Sequence, residues 1–190
     1  MITLLKKSAY KESLWKNGLG RTAQIAMYPE ESSLEENNFL WRISSAHINQ
    51  ENPFSLFEGC ERKLIVWKGE GLLLNDIQML PHTPLTFSGE ENIYCKLMNN
   101  NPVIDFGIIY KKDLIKINVI THLLNSSSVL RVNNELAFLF LAEASEEKCS
   151  ANNINLSPGD CLKIENENEI TISLTPKSSA LCYLVTISGI

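Results

Sequence analysis

The sequence predicts an all-β protein built as a sandwich or barrel. Three observations carry that prediction. Short stretches in which apolar and polar residues alternate with period two recur along the chain, among them Arg21 to Tyr28 and Trp41 to Ile48. Clusters of Gly, Pro and Asn punctuate them at close spacing, as at Pro81–Pro84, Asn99–Pro102 and Asn155–Asp160. No long amphipathic helix pattern interrupts the series. With 190 residues, 44% of them hydrophobic, the chain can bury a real core, as one domain or as two small ones packed together.

Residues 1–10 read as an opening strand, and Trp15 to Gly20 as a polar, glycine-rich loop led by an aromatic. Arg21 to Tyr28 sets Thr22, Gln24 and Ala26 against Ala23, Ile25 and Met27, a half-buried strand. The acidic stretch Pro29 to Asn38 is a solvated loop or a short surface helical turn. In the strand Trp41 to Ile48, one face shows Arg42, Ser44 and Ala46. An arginine alternating with small residues suits a barrel interior with room for a ligand. Asn49 to Pro53 is a turn. Lys63 to Trp67 is a strand with Arg62, Leu64 and Val66 on one face, leaving through the bend Gly69–Gly71. Leu72–Asn75, Leu85–Glu90, Ile93–Met98 and Val103–Tyr110 continue the sheet. The charged run Lys111–Asp113 reads as a joint, placing one barrel over residues 1–112 and a second, packed against it, over 113–190. In the second half, Leu114–Leu124, Ser128–Val132, Glu135–Ala142, Cys161–Ile164, Ile170–Leu174 and Ala180–Ser188 repeat the strand style without the polar features.

Charge and cysteine usage narrow the function. A net charge of −5 and a pI near 5.3 argue against nucleic acid and anionic lipid as partners. No apolar run is long enough for a membrane span, and the first ten residues are too weakly apolar for a signal peptide. Cys60, Cys95, Cys149, Cys161 and Cys182 are scattered, with no Cys-x-x-Cys pair. They read as reduced, buried thiols in a cytoplasmic protein.

The stretch from Ser55 to Gly69 can be laid on the first metal motif of the cupins, His-x-His, then Glu, then Gly. Gly69 matches the final glycine, and Ser55, Phe57 and Arg62 stand at the three ligand positions. Those side chains cannot form a histidine–carboxylate shell, so no metal and no cofactor are expected. Exchanging a carboxylate for a guanidinium reverses the charge, so such a cup should prefer an anion. His47, His82 and His122 have no recognised metal spacing.

A longer series of motifs runs in order over roughly residues 10–110: Trp15, Asn17, Gly18, Gly20 and Thr22; Phe39, Trp41, Arg42, Ser44 and Ala46; Pro53, Phe54, Ser55, Phe57, Gly59 and Arg62; Gly69 and Gly71; Pro84, Phe87 and Gly89; Asp105 and Phe106. On these residues the chain resembles the HutD/Ves family of cupin-like proteins. The resemblance implies an RmlC-like double-stranded β-helix, two barrels in one chain (a bicupin), in a cytoplasmic bacterial protein linked to histidine utilisation or stress response. It names no reaction. Where the family often has Asn after the Asp-Phe pair, this chain has Gly107.

The candidate ligand-binding residues are Arg42, Arg62, Asn17, Ser44, Ser55, Phe54, Phe57, Trp15, Gly18, Gly20 and Phe87. Each has a purely structural reading too. The arginines could pair with internal carboxylates such as Glu61 or Asp105. The loop glycines could serve only a tight turn, and the aromatics could be plain core. Ser44 and Ser55 could be small packing residues; with no histidine–carboxylate pair placed by motif, neither reads as a nucleophile. The expectation is a metal-free module that binds a small anionic metabolite, with urocanate and N-formylglutamate implied by the family link, in a sensing or modulating role. The alternative is a metal-independent isomerase or lyase acting on a carboxylate, with Glu61, Asp105 or His82 as the acid–base candidates. The second barrel serves either as a structural partner or as a surface for homodimerisation; the sequence leaves both open.

Overall fold

A computed structural model of the chain describes residues 1–15, 20–145 and 149–189, with the side chains of 133 and 134 left aside. The described residues form seventeen strands and two single-turn 3-10 segments, with no α-helix among them. No helix is long and apolar enough to cross a membrane. In order, the strands are β1 (Ile2–Leu5), β2 (Lys11–Leu14), β3 (Gly20–Tyr28), β4 (Trp41–Ile48), β5 (Asn52–Pro53), β6 (Cys60–Lys68), β7 (Leu72–Leu74), β8 (Ile77–Met79), β9 (Leu85–Ser88), β10 (Tyr94–Leu97), β11 (Val103–Lys111), β12 (Ile115–Leu124), β13 (Ser128–Ala144), β14 (Cys149–Ala151), β15 (Ile154–Leu156), β16 (Cys161–Leu174) and β17 (Ala180–Gly189).

The chain divides into two compact units, Tyr10–Ile115 and Met1–Ala9 with Lys116–Ile190. The first nine residues sit with the second unit, because β1 pairs antiparallel with β16, from Ile2 opposite Ile164 to Leu5 opposite Cys161. A strand predicted from local pattern has no address until its partner is known.

In the unit Tyr10–Ile115, a six-stranded sheet of order β2-β3-β4-β11-β6-β9 and a four-stranded sheet of order β5-β10-β7-β8 form a sandwich. Ile48, Leu64, Val66 and Val103 from the larger sheet pack with Leu72, Leu74, Met79, Cys95 and Leu97 from the smaller one. Moving along β4, β6 and β11 away from that core, the same inward face turns polar, and there the site lies. The second unit is one seven-stranded curled sheet whose interior is aliphatic, including Leu139, Leu141, Leu162, Ile164, Ile172 and Leu184. The sequence reading splits its two longest strands in the middle. The structure keeps β13 and β16 whole and paired, with a register shift between Arg131 and Asn134 where the sequence turns polar.

Candidate functional site

Strand register builds the site. Arg42 on β4 and Arg62 on β6 both lie opposite Ile109 of the intervening β11. One step of two residues away, Gly107 lies opposite both Ser44 and Leu64. Period-two alternation therefore sets two guanidinium groups in one row and small side chains in the next, all on the inner face. These residues line a cavity of about 580 Å³, together with Trp15, Phe54, Ser55, Phe57 and Asp105.

Arg42 is almost fully buried, with 6% of its surface exposed, and its Nε donates to Gln24 Oε1 at 3.2 Å. Arg62 is half-buried and donates from a terminal nitrogen to the carbonyl of Ser55 at 3.2 Å. Its guanidinium carbon lies 4.6 Å from the ring centre of Phe54, 5.2 Å from that of Phe87 and 5.8 Å from that of Phe57. Three aromatic faces hold the cation in place and help offset its lost hydration. Phe54 and Phe87 are themselves stacked, and Phe57 meets Phe39 edge-on.

Neither arginine forms an ion pair with a carboxylate among the described residues. Glu61 instead accepts from the Tyr110 hydroxyl on the other face of the sheet. Asp105 is near enough to be felt by both arginines yet bonds elsewhere: its Oδ1 accepts the Ala46 amide at 2.8 Å. Behind it, Ser45 donates to the Asp105 carbonyl at 2.6 Å and the buried Trp67 indole N–H is shared between that carbonyl and Ser45 Oγ. This network fixes the strand that presents Asp105 to the cavity.

Burial dominates the electrostatics. It pushes both Arg42 and Arg62 down to about 10, against the pull of Asp105, and each cation further lowers Arg62 or Asp105. Both remain charged at neutral pH. Burial pushes the Asp105 carboxyl up to about 7, while the Ala46 amide and the two arginines hold it down. At neutral pH the two guanidinium groups are opposed by a partly ionised Asp105, while Glu35 and Lys63, which also line the cavity, carry opposite charges; the excess is positive and favours an anion.

The structure brings Arg42, Arg62, Ser44, Ser55, Phe54, Phe57 and Trp15 to one cavity. Phe87 stands behind Arg62 rather than in the lining. Gly20 lies beneath Trp15, outside the lining: a Cβ there would sit 2.5 Å from the His47 carbonyl and 2.9 Å from the indole. Its role is to let the ring close over the sheet, where the indole N–H donates to Thr22 Oγ1 at 2.8 Å. Asn17 and Gly18 lie outside the described residues. Of the acid–base candidates, only Asp105 lines the cavity; Glu61 and His82 do not. Among the described residues no three His, Cys, Asp or Glu side chains group to hold a metal ion. Sequence reasoning missed Gln24 as the partner of Arg42. The alternation of Thr22 and Gln24 on β3 was the available signal, but a bulge between Gln24 and Ala26 obscures its continuation.

The family model of HutD matches residues 7–182. An uncharacterised 21.2 kDa protein from the hutC 3′ region of Pseudomonas putida is 31% identical over 176 residues, 89% of this chain and 90% of the relative. Protein Ves of Citrobacter koseri is 31% identical over 112 residues, 56% of each chain. Among solved structures, HutD from Pseudomonas fluorescens superposes with a TM-score of 0.80 at 22% identity over the whole of both chains. A vicilin from Capsicum annuum superposes with a TM-score of 0.64 at 9% identity over 98% of this chain and 85% of that one, a likeness of fold alone. The arrangement of strands is that of the cupins, and the chain belongs to the HutD family.

Proposed function

We propose that the chain binds a small carboxylate metabolite in the cavity of the unit Tyr10–Ile115, and that this binding serves a sensing or modulating role in histidine utilisation or stress response. The observation that carries the reading is the pair of guanidinium groups, Arg42 and Arg62, facing one cavity without an ion-pair partner among the described residues. A planar carboxylate matches the two-donor edge of a guanidinium, and water-poor surroundings strengthen the contact. The position of the Pseudomonas putida relative in the hutC 3′ region supports the link to histidine breakdown, for which urocanate and N-formylglutamate are the acids to try first.

A thermal-shift screen of such acids tests the reading. A ligand at 100 times its dissociation constant adds about 2.7 kcal/mol to folding stability. That shift should vanish in Arg42→Ala and Arg62→Ala. Equal shifts in all three proteins would reject the assignment. One observation favours a second reading: a buried carboxyl held near 7, Asp105, faces the same cavity and could move a proton in a metal-independent isomerase or lyase. Turnover of a bound carboxylate that disappears in Asp105→Asn would establish it.

A further inference from the structure

The inner face of β11 presents Asp105, Gly107 and Ile109 in succession. Ile109 lies in the arginine row. Gly107 contributes no side chain, and the nearest atoms to a Cβ built on it would be Leu64 Cδ1 at 3.4 Å, Asp105 Oδ1 at 3.9 Å and Ser44 Oγ at 4.0 Å. The missing side chain therefore leaves open a small space walled by a carboxyl, a hydroxyl and an isopropyl group. Asp105 has one oxygen engaged by the Ala46 amide. That same Oδ1 is the Asp105 oxygen beside the space, 3.9 Å from the Cβ position, and it keeps a second lone pair free of the Ala46 bond. A buried acceptor with spare capacity beside an unfilled space is what an incoming donor would use.

We propose that Gly107 opens, beside Asp105 and about 7 Å along the strand from the arginine row, a subsite for an N–H donor on the same ligand whose anionic group the arginines hold. The ligand class is thus a carboxylate that also carries an ammonium or ring N–H, rather than a plain aliphatic acid. A plain aliphatic acid would bring no donor to the free lone pair of that oxygen. The inference rests on the anion-binding reading given above and adds the second half of the ligand.

A matched pair of probes isolates it: pentanoate and 5-aminopentanoate, which differ only in the terminal amine, titrated calorimetrically into the full chain. The amine should tighten binding about ten-fold, in line with one hydrogen bond to a charged partner. In Asp105→Asn the ratio of the two affinities should fall to near one. In Gly107→Ala it should fall as well, because the added methyl occupies the space; the 3.4 Å contact with Leu64 is ordinary enough for the fold to accept it. Equal affinities in the wild type, or a ratio that survives both substitutions, overturn the subsite and leave the arginine reading intact. Failure of pentanoate to bind, or binding unaffected by Arg62→Ala, overturns the arginine reading and this inference with it.

Discussion

Replacing Asp105 by Asn probes the electrostatics of the site directly. The carboxyl titrates at 3.8 in water and at about 7 in the folded chain, chiefly because it is buried. Between those values the unfolded chain has released its proton and the folded chain has kept it. The folded state binds more protons there, so stability falls as pH rises from about 4 to about 7, and is level above. The full rise is equivalent to about 4 kcal/mol. Asn keeps a carbonyl oxygen for the Ala46 amide but has no charge to desolvate. The stability of Asp105→Asn minus that of wild type should therefore grow by about 3 kcal/mol between pH 5 and pH 8, or roughly 6–12 °C in Tm. Urea unfolding followed by tryptophan fluorescence at four pH values measures it. His122, whose pKa burial lowers, is common to both proteins and cancels in the difference. A difference that stays flat from pH 5 to pH 8 would show that Asp105 ionises normally, and the account of a half-protonated acid facing two arginines would be refuted.

Three further outcomes follow from the packing. Gly20→Ala should cost about 1–3 kcal/mol, since a Cβ 2.5 Å from the His47 carbonyl forces the backbone or Trp15 to move; chemical denaturation reads the loss, and an unchanged midpoint would contradict it. Trp67→Phe should cost about 1–3 kcal/mol by removing the buried donor shared by Ser45 and the Asp105 carbonyl, with a matching rise in amide exchange along β11. The five free cysteines are all buried, and burial raises Cys95 and Cys182 to about 12. A thiol-specific dye should therefore label none of them within minutes in the native protein and all five in denaturant; rapid native labelling of Cys60 would show that its turn opens.

The sequence was most legible where one residue's neighbours decide its state. Alternation alone put Arg42, Ser44 and Ala46 on one face of β4 and Arg62, Leu64 and Val66 on one face of β6, because the pleat has period two whatever the strand pairs with. It was silent on which strands adjoin. That both arginines flank Ile109, and that Gly107 sits beside Ser44, depends on β11 lying between β4 and β6, a pairing across more than 40 residues of chain. Glu61 and Asp105 looked like equivalent partners for the arginines in the sequence. One faces Tyr110 on the far side of the sheet and the other faces the cavity, and only the register separates them.

From the sequence by itself came the all-β class, the guanidinium at the position where cupins keep a metal-binding carboxylate, and the family. Each of these is written in local pattern or residue identity. The tertiary structure alone decided that the first strand belongs to the second unit, that Gly20 lies under an indole, and that Asp105 is an acid tuned by burial. These depend on what lies across a strand or a cavity, and burial, the largest influence on every shifted group in the site, is a property of the folded whole.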